Sequence, residues 1–188
     1  MGAYKYIRES FQQEYRERPE LLRQRIVAWS SESSVLRIAR PTNIARAREL
    51  GYKAKPGIIM TRVRIKRGSR KRLKPSGGRK PSKSGRFFVH KKSLQSIAEE
   101  RSAAKFTNCE VVNSYYVGET GTHKFFEVIL ADRAHPSMAR DKFYGSITAQ
   151  RGRASRGLTS SGKKHRGLVT NNRSPTYRPS VRSRMRST

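Results

Sequence analysis

The side chains that could do acid–base, nucleophilic or metal chemistry are few in this chain and badly placed for it. His90, His123, His135 and His165 are scattered without the short spacings that bring imidazoles to one metal ion. Each therefore reads as a surface or polyanion-facing histidine. Cys109 is the single cysteine, which leaves no partner for an internal disulfide and no all-cysteine zinc site. Glu99 with Glu100 and Glu119 with Glu127 could be called paired carboxylates, but Glu99 and Glu100 would point about 100° apart on a helix, as expected of ordinary surface acids. The serines lack a nucleophile-elbow pattern, and no GxxxxGK[ST] phosphate loop occurs. No catalytic residue, metal ligand, cofactor or small-molecule substrate is expected, and the chain does not read as an enzyme.

The chemistry that is abundant is cation meeting phosphate. Lys and Arg number 43 against 13 Asp and Glu, a net charge of +30 over 188 residues. Such a charge destabilises a compact body by self-repulsion until a polyanion neutralises it. It is also unevenly placed. Successive segments 1–49, 50–98, 99–141 and 142–188 carry +4, +16, −2 and +12, and the second and fourth contain no acid. A short basic run could be a solvated tail or an import address, but two long acid-free stretches exceed what either needs. Within them Arg79, Lys80, Lys83, Arg86, Arg151 and Arg153 are candidate phosphate contacts. Each phosphate neutralised lowers the logarithmic salt slope by roughly 0.7 to 0.9. Tyr52, Phe87, Phe88, Phe143, Tyr144 and Tyr177 lie near these stretches and could stack on unpaired bases, although Phe87 and Phe88 have the character of core or strand residues.

The elements that must hold these cations come from the less charged pieces. Hydrophobic residues are 34% of the chain, enough for one modest core with extensions. Val111 to Val117 and Phe125 to Leu130 are rich in β-branched and aromatic residues and predict two strands joined by the loop 118–123 as an antiparallel hairpin. An earlier strand is predicted over Ile58 to Lys66. There Ile59, Thr61, Val63 and Ile65 should face inward, with Arg62, Arg64 and Lys66 outward. Ser93 as N-cap predicts a helix near 93–105, with Ser96 and Glu99 as an alternative capping box. Thr42 as N-cap and Gly51 as stop predict another over 43–50, and two amphipathic helices should meet at Pro19. By contrast 67–86 is built of Lys, Arg, Gly, Ser and Pro with Leu73 as its one apolar residue, and should order only against a partner. The expected organisation is a helical segment over 1–50, a lead-in and first strand over 51–66, a basic arm over 67–90, a helix and hairpin over 91–141, and a basic extension over 142–188. The fold class is α+β, a small mixed or antiparallel sheet packed with helices and carrying long basic extensions. No signal peptide and no apolar stretch of membrane-spanning length is read, so neither export nor a membrane is expected.

Seven stretches in order resemble one family. They are MGAYKYIRE at the start, ARPTNIARARELGYKAKPG at 39–57, VRIKRGSRKR at 63–72, SLQSIAEERSA at 93–103, VVNSYYVGE at 111–119, KFFEVILAD at 124–132 and RGLTSSGKKHRGL at 156–168. Together they resemble the archaeal and eukaryotic type of large-subunit ribosomal protein fifteen, over most of the chain. The stretch at 134–138 looks closer to the archaeal branch. The resemblance implies a non-enzymatic structural protein of the cytoplasmic ribosome, with large-subunit rRNA and neighbouring ribosomal proteins as partners. It also implies that Lys53, Lys55, Arg62, Arg64, Arg67, Arg70, Lys71, Arg72, Arg156, Lys163, Lys164 and Arg166 lie on or near RNA. A chromatin-like DNA compactor and an RNA-modifying enzyme are the rivals from other classes, and no feature of the sequence favours either.

Overall fold

A computed structural model describes residues 2–80, 84–88 and 92–166, with Arg70 described by its backbone only. The chain opens with α1 (Ala3–Glu17) and α2 (Glu20–Ser31). Arg18 breaks the run in the left-handed region at φ 49°, and the Pro19 carbonyl then accepts the first amides of α2. β1 (Val35–Ile38), α3 (Ile44–Glu49) and β2 (Ile58–Lys66) follow. A small ribbon of β3 (Arg70–Lys71) and β4 (Phe87–Phe88) precedes α4 (Leu94–Lys105). The hairpin β5 (Cys109–Glu119) and β6 (His123–Asp132) comes next, then α5 (Pro136–Ala139), α6 (Lys142–Thr148) and α7 (Ser160–His165).

The main sheet is antiparallel throughout, in the order β1-β2-β6-β5. This is the α+β architecture expected. β2 runs over the residues that the alternation marks, and the predicted hairpin forms with Val111 opposite Leu130 and Tyr116 opposite Phe126. Both faces of the sheet are covered. On one, Val63, Val111, Val128 and Leu130 pack with Ala98 of α4. On the other, Met60, Phe125 and Ile129 pack with Trp29 of α2, Ala47 of α3, and Tyr144 and Ile147 of α6. Burial of such side chains is worth roughly 1.5–3 kcal/mol each before entropy is counted.

Double coverage overturns two expectations. Arg62 and Arg64 do not stand outward into solvent, because the C-terminal end of α2 lies over them. Arg62 pairs with Glu32 at 2.6 Å and stacks on Trp29 with its guanidinium carbon 4.5 Å from the ring centroid, and Arg64 donates to the Ser30 carbonyl. Nor is Glu99 a surface acid: it is buried, as are Glu110 and Glu127. An acid is expected to be solvated when only its own element is considered, whereas here each accepts hydrogen bonds from a chain segment that needs an acceptor.

Capping also differs in one place. The N-cap of α3 is Asn43, whose side chain accepts from the Arg46 amide, and Thr42 instead donates to Glu127. At α4 the structure selects Ser93, which accepts from the Ser96 amide. Residues 142–166 lie against the sheet and α4. Gly152 and Arg153 donate their amides to Glu110 at 2.7 and 3.2 Å, and Thr159 donates to Glu99 at 2.5 Å.

Candidate nucleic-acid interface

The arm begins where β2 leaves the sheet. The Arg67 amide donates to the Thr122 carbonyl at 2.7 Å, tying its root to the turn of the β5–β6 hairpin. Arg70 then pairs with Phe88 and Lys71 with Phe87, and the Arg72 amide donates to the Arg86 carbonyl at 2.8 Å. At the far end Gly77 and Gly78 both have positive φ, 66° and 68°, a reversal that side-chain-bearing residues enter at a cost. Lys71, Arg72 and Lys80 are exposed, while Arg79 and Arg86 are half-buried, with Arg79 donating to the Leu73 carbonyl at 3.4 Å. The aromatics sit among these cations: Arg72 lies 4.2 Å from the Phe88 centroid, and Lys71 and Arg86 lie 6.0 and 5.9 Å from that of Phe87. Lys83, His90 and Tyr177 fall outside the described residues, as does the side chain of Arg70.

The second cationic group is carried by 151–166. Arg151, Arg156 and Lys164 are exposed, and Lys163 and Arg166 are half-buried. The residues around them are seated by polar contacts. Thr159 caps α7 through the Gly162 amide, and Ser161 lies 2.8 Å from Ser96 and 3.2 Å from Ser93 at the start of α4. A Cβ on Gly162 would stand 2.6 Å from the Gly157 Cα, so α7 reaches this position only with glycine there. Arg153 turns inward and donates to the Val111 carbonyl at 2.6 Å. Burial works against its charge, while Glu110 and Glu99 support it.

Lys53 and Lys55 belong to a third setting. Both reach Asp141, at 3.5 and 2.7 Å, and both lie against the Tyr144 ring. Asp141 also caps α6 through the Phe143 and Tyr144 amides. The Lys55 ammonium first, and these amides with it, hold the Asp141 carboxyl down to about 2 against the opposing effect of desolvation. Tyr144 donates to the Gly51 carbonyl at 2.5 Å, and burial pushes its hydroxyl up to about 12.

The acids show how the charge is arranged. Glu127 accepts from the Thr42 amide and hydroxyl and from the Tyr115 hydroxyl, and Glu99 accepts from Ser114 and Thr159. Burial raises the pKa of both, and the hydrogen bonds offset part of the rise. Glu119 takes Arg67 at 3.4 Å and Lys124 at 3.2 Å. Among the described residues Arg67 is the arm's one cation that reaches a carboxylate. Lys71, Arg72, Lys74, Arg79, Lys80 and Arg86 have none within ion-pair distance.

Sequence reasoning misses Glu99, Glu110 and Glu127 as fastening points. For two of them a signal exists: Glu110 and Glu127 stand inside runs that are otherwise apolar, CEVV and FFEVIL, where a solvated acid has no room. His135, expected as a surface histidine, is the N-cap of α5, its Nδ1 accepting from the Ser137 amide at 3.2 Å. No helix among the described residues is long and apolar enough to cross a membrane.

Fold and site together define a strongly basic α+β protein whose buried acids are bonded within the body and whose arm cations from Lys71 to Arg86 meet no carboxylate among the described residues. Residues 2–184 match the family model described as Ribosomal L15, and the chain belongs to that family. It is a structural constituent of the large ribosomal subunit and serves translation, with rRNA and ribosomal proteins as the partners that membership implies.

Proposed function

We propose that the chain stabilises folded large-subunit rRNA by direct Lys/Arg–phosphate contacts, made first by the arm at 67–86 and second by the exposed cations of 151–166. The observation that carries this reading is the division of charge. The buried carboxylates Glu99, Glu110 and Glu127 are bonded within the body, Glu119 meets Arg67 at the arm's root, and the arm cations from Lys71 to Arg86 have no acid to meet among the described residues. Counterion release then supplies the affinity, and the arm reads RNA shape more than base sequence, because A-form major grooves exclude side chains. Lys53 and Lys55, already paired with Asp141, add a weaker contact, and Arg62, Arg64 and Arg153 support the body beneath the RNA. The protein works in cytoplasmic ribosomes and performs no catalysis.

Lysine acylation read by mass spectrometry, on the free chain and on native large subunits, tests this. Lys71, Lys74, Lys80 and Lys164 should label rapidly when free and slowly in the subunit. Equal labelling in both states would contradict the proposal.

A further inference from the structure

Phe87 occupies an unusual place in the arm. It is 69% exposed on a two-residue strand, while its neighbour Phe88 is half-buried, with its ring against Gly85 and the Arg72 guanidinium. Strand geometry sends the two rings to opposite faces, so Phe87 shares a face with its cross-strand partner Lys71. Lys71 and Arg86 flank the ring near 6 Å from its centroid, and no other aromatic ring is in contact with it among the described residues. An exposed phenyl ring between two cations, on a stretch without an acid from 50 to 98, is unsuited to an apolar protein surface, which would have to desolvate both charges. It suits a flat π-face that carries phosphates at its edges, and an unpaired nucleotide has that form.

We propose that Phe87 is a stacking platform for one unpaired nucleobase of the RNA, with Lys71 and Arg86 neutralising the phosphates on either side. The proposal rests on the reading that the arm meets rRNA, and adds to it a local, uncharged contribution at a defined residue. The binding of the full chain to deproteinised large-subunit rRNA, measured over a range of salt concentrations, separates the two. Wild type should show a steep salt slope. Phe87→Ala should weaken binding about tenfold with the slope unchanged, since stacking releases no counterions. Phe87→Trp should bind as well as wild type or better, and Phe87→Leu should resemble Phe87→Ala. Because Phe87 is exposed, all three variants should melt with wild type. Full binding by Phe87→Ala, or full rescue by Phe87→Leu, would overturn the stacking site while a steep wild-type slope left the arm's role standing. A loss seen only in intact subunits, with binding to bare rRNA unchanged, would assign Phe87 to a protein neighbour and would also overturn it. A flat wild-type slope would instead remove the phosphate reading on which it rests.

Discussion

Glu127 shows how a basic protein uses its few acids. It is completely buried in β6, and three donors from Thr42 and Tyr115 converge on it, so it ties the turn before α3 to the sheet. Replacing it with Ala leaves those donors unsatisfied and should cost about 1–3 kcal/mol for each one stranded. Glu127→Gln keeps an acceptor and removes the buried charge, so it should cost less, and chemical denaturation of the two variants would show the order. Equal losses would mean that side-chain shape matters more than the hydrogen bonds. Asp141 has the opposite titration. Its folded pKa lies at about 2, below the ordinary 3.8, so its contribution to stability is present above pH 4 and is lost as pH falls through 2. Asp141→Asn should therefore melt lower than wild type at pH 6, and the gap should close between pH 4 and pH 2. A gap independent of pH would show that the effect does not come from the ionised carboxylate.

Elements with their own local signal were legible in the sequence, and those built by distant contacts were not. The alternation of Ile59, Thr61, Val63 and Ile65 marked β2, the β-branched runs around a glycine loop marked the hairpin, and Ser93 marked α4. β1 is four residues, too short for periodicity to register. α5, α6 and α7 are four, seven and six residues long, too short for periodicity to register, although Met138, Tyr144 and Ile147 are buried in the core and α7 is seated through the bond from Thr159 to Glu99. Alternation likewise tells which residues share a face, and not whether a helix covers it, so Arg62 and Arg64 lie under the end of α2 and not in open solvent. Close approach is equally invisible in composition. Gly162→Ala would place a methyl group against the Gly157 backbone and should cost about 1–3 kcal/mol of overpacking. Hydrogen exchange should then show faster exchange over 151–166 with β2 and β6 unchanged. If exchange rose uniformly, α7 would belong to the cooperative core.

At the scale of the molecule, the net charge of +30 divides between a body that neutralises what it can internally and an arm that cannot. That division was visible in the sequence as acid-free stretches. The placement of 151–166 against α4 and the sheet was not, because it depends on buried Glu99 and Glu110. Family membership gives the subunit, and the unpaired cations of the arm give a physical reason for a polyanionic partner. The most direct test is the salt dependence of binding to large-subunit rRNA, compared between wild type and a chain with Lys71, Arg72, Lys74, Arg79 and Lys80 changed to Gln. The account predicts an unchanged thermal melt, weaker binding, and a logarithmic slope shallower by roughly 0.7–0.9 for every phosphate that the altered chain no longer neutralises. A slope identical to that of wild type would contradict it.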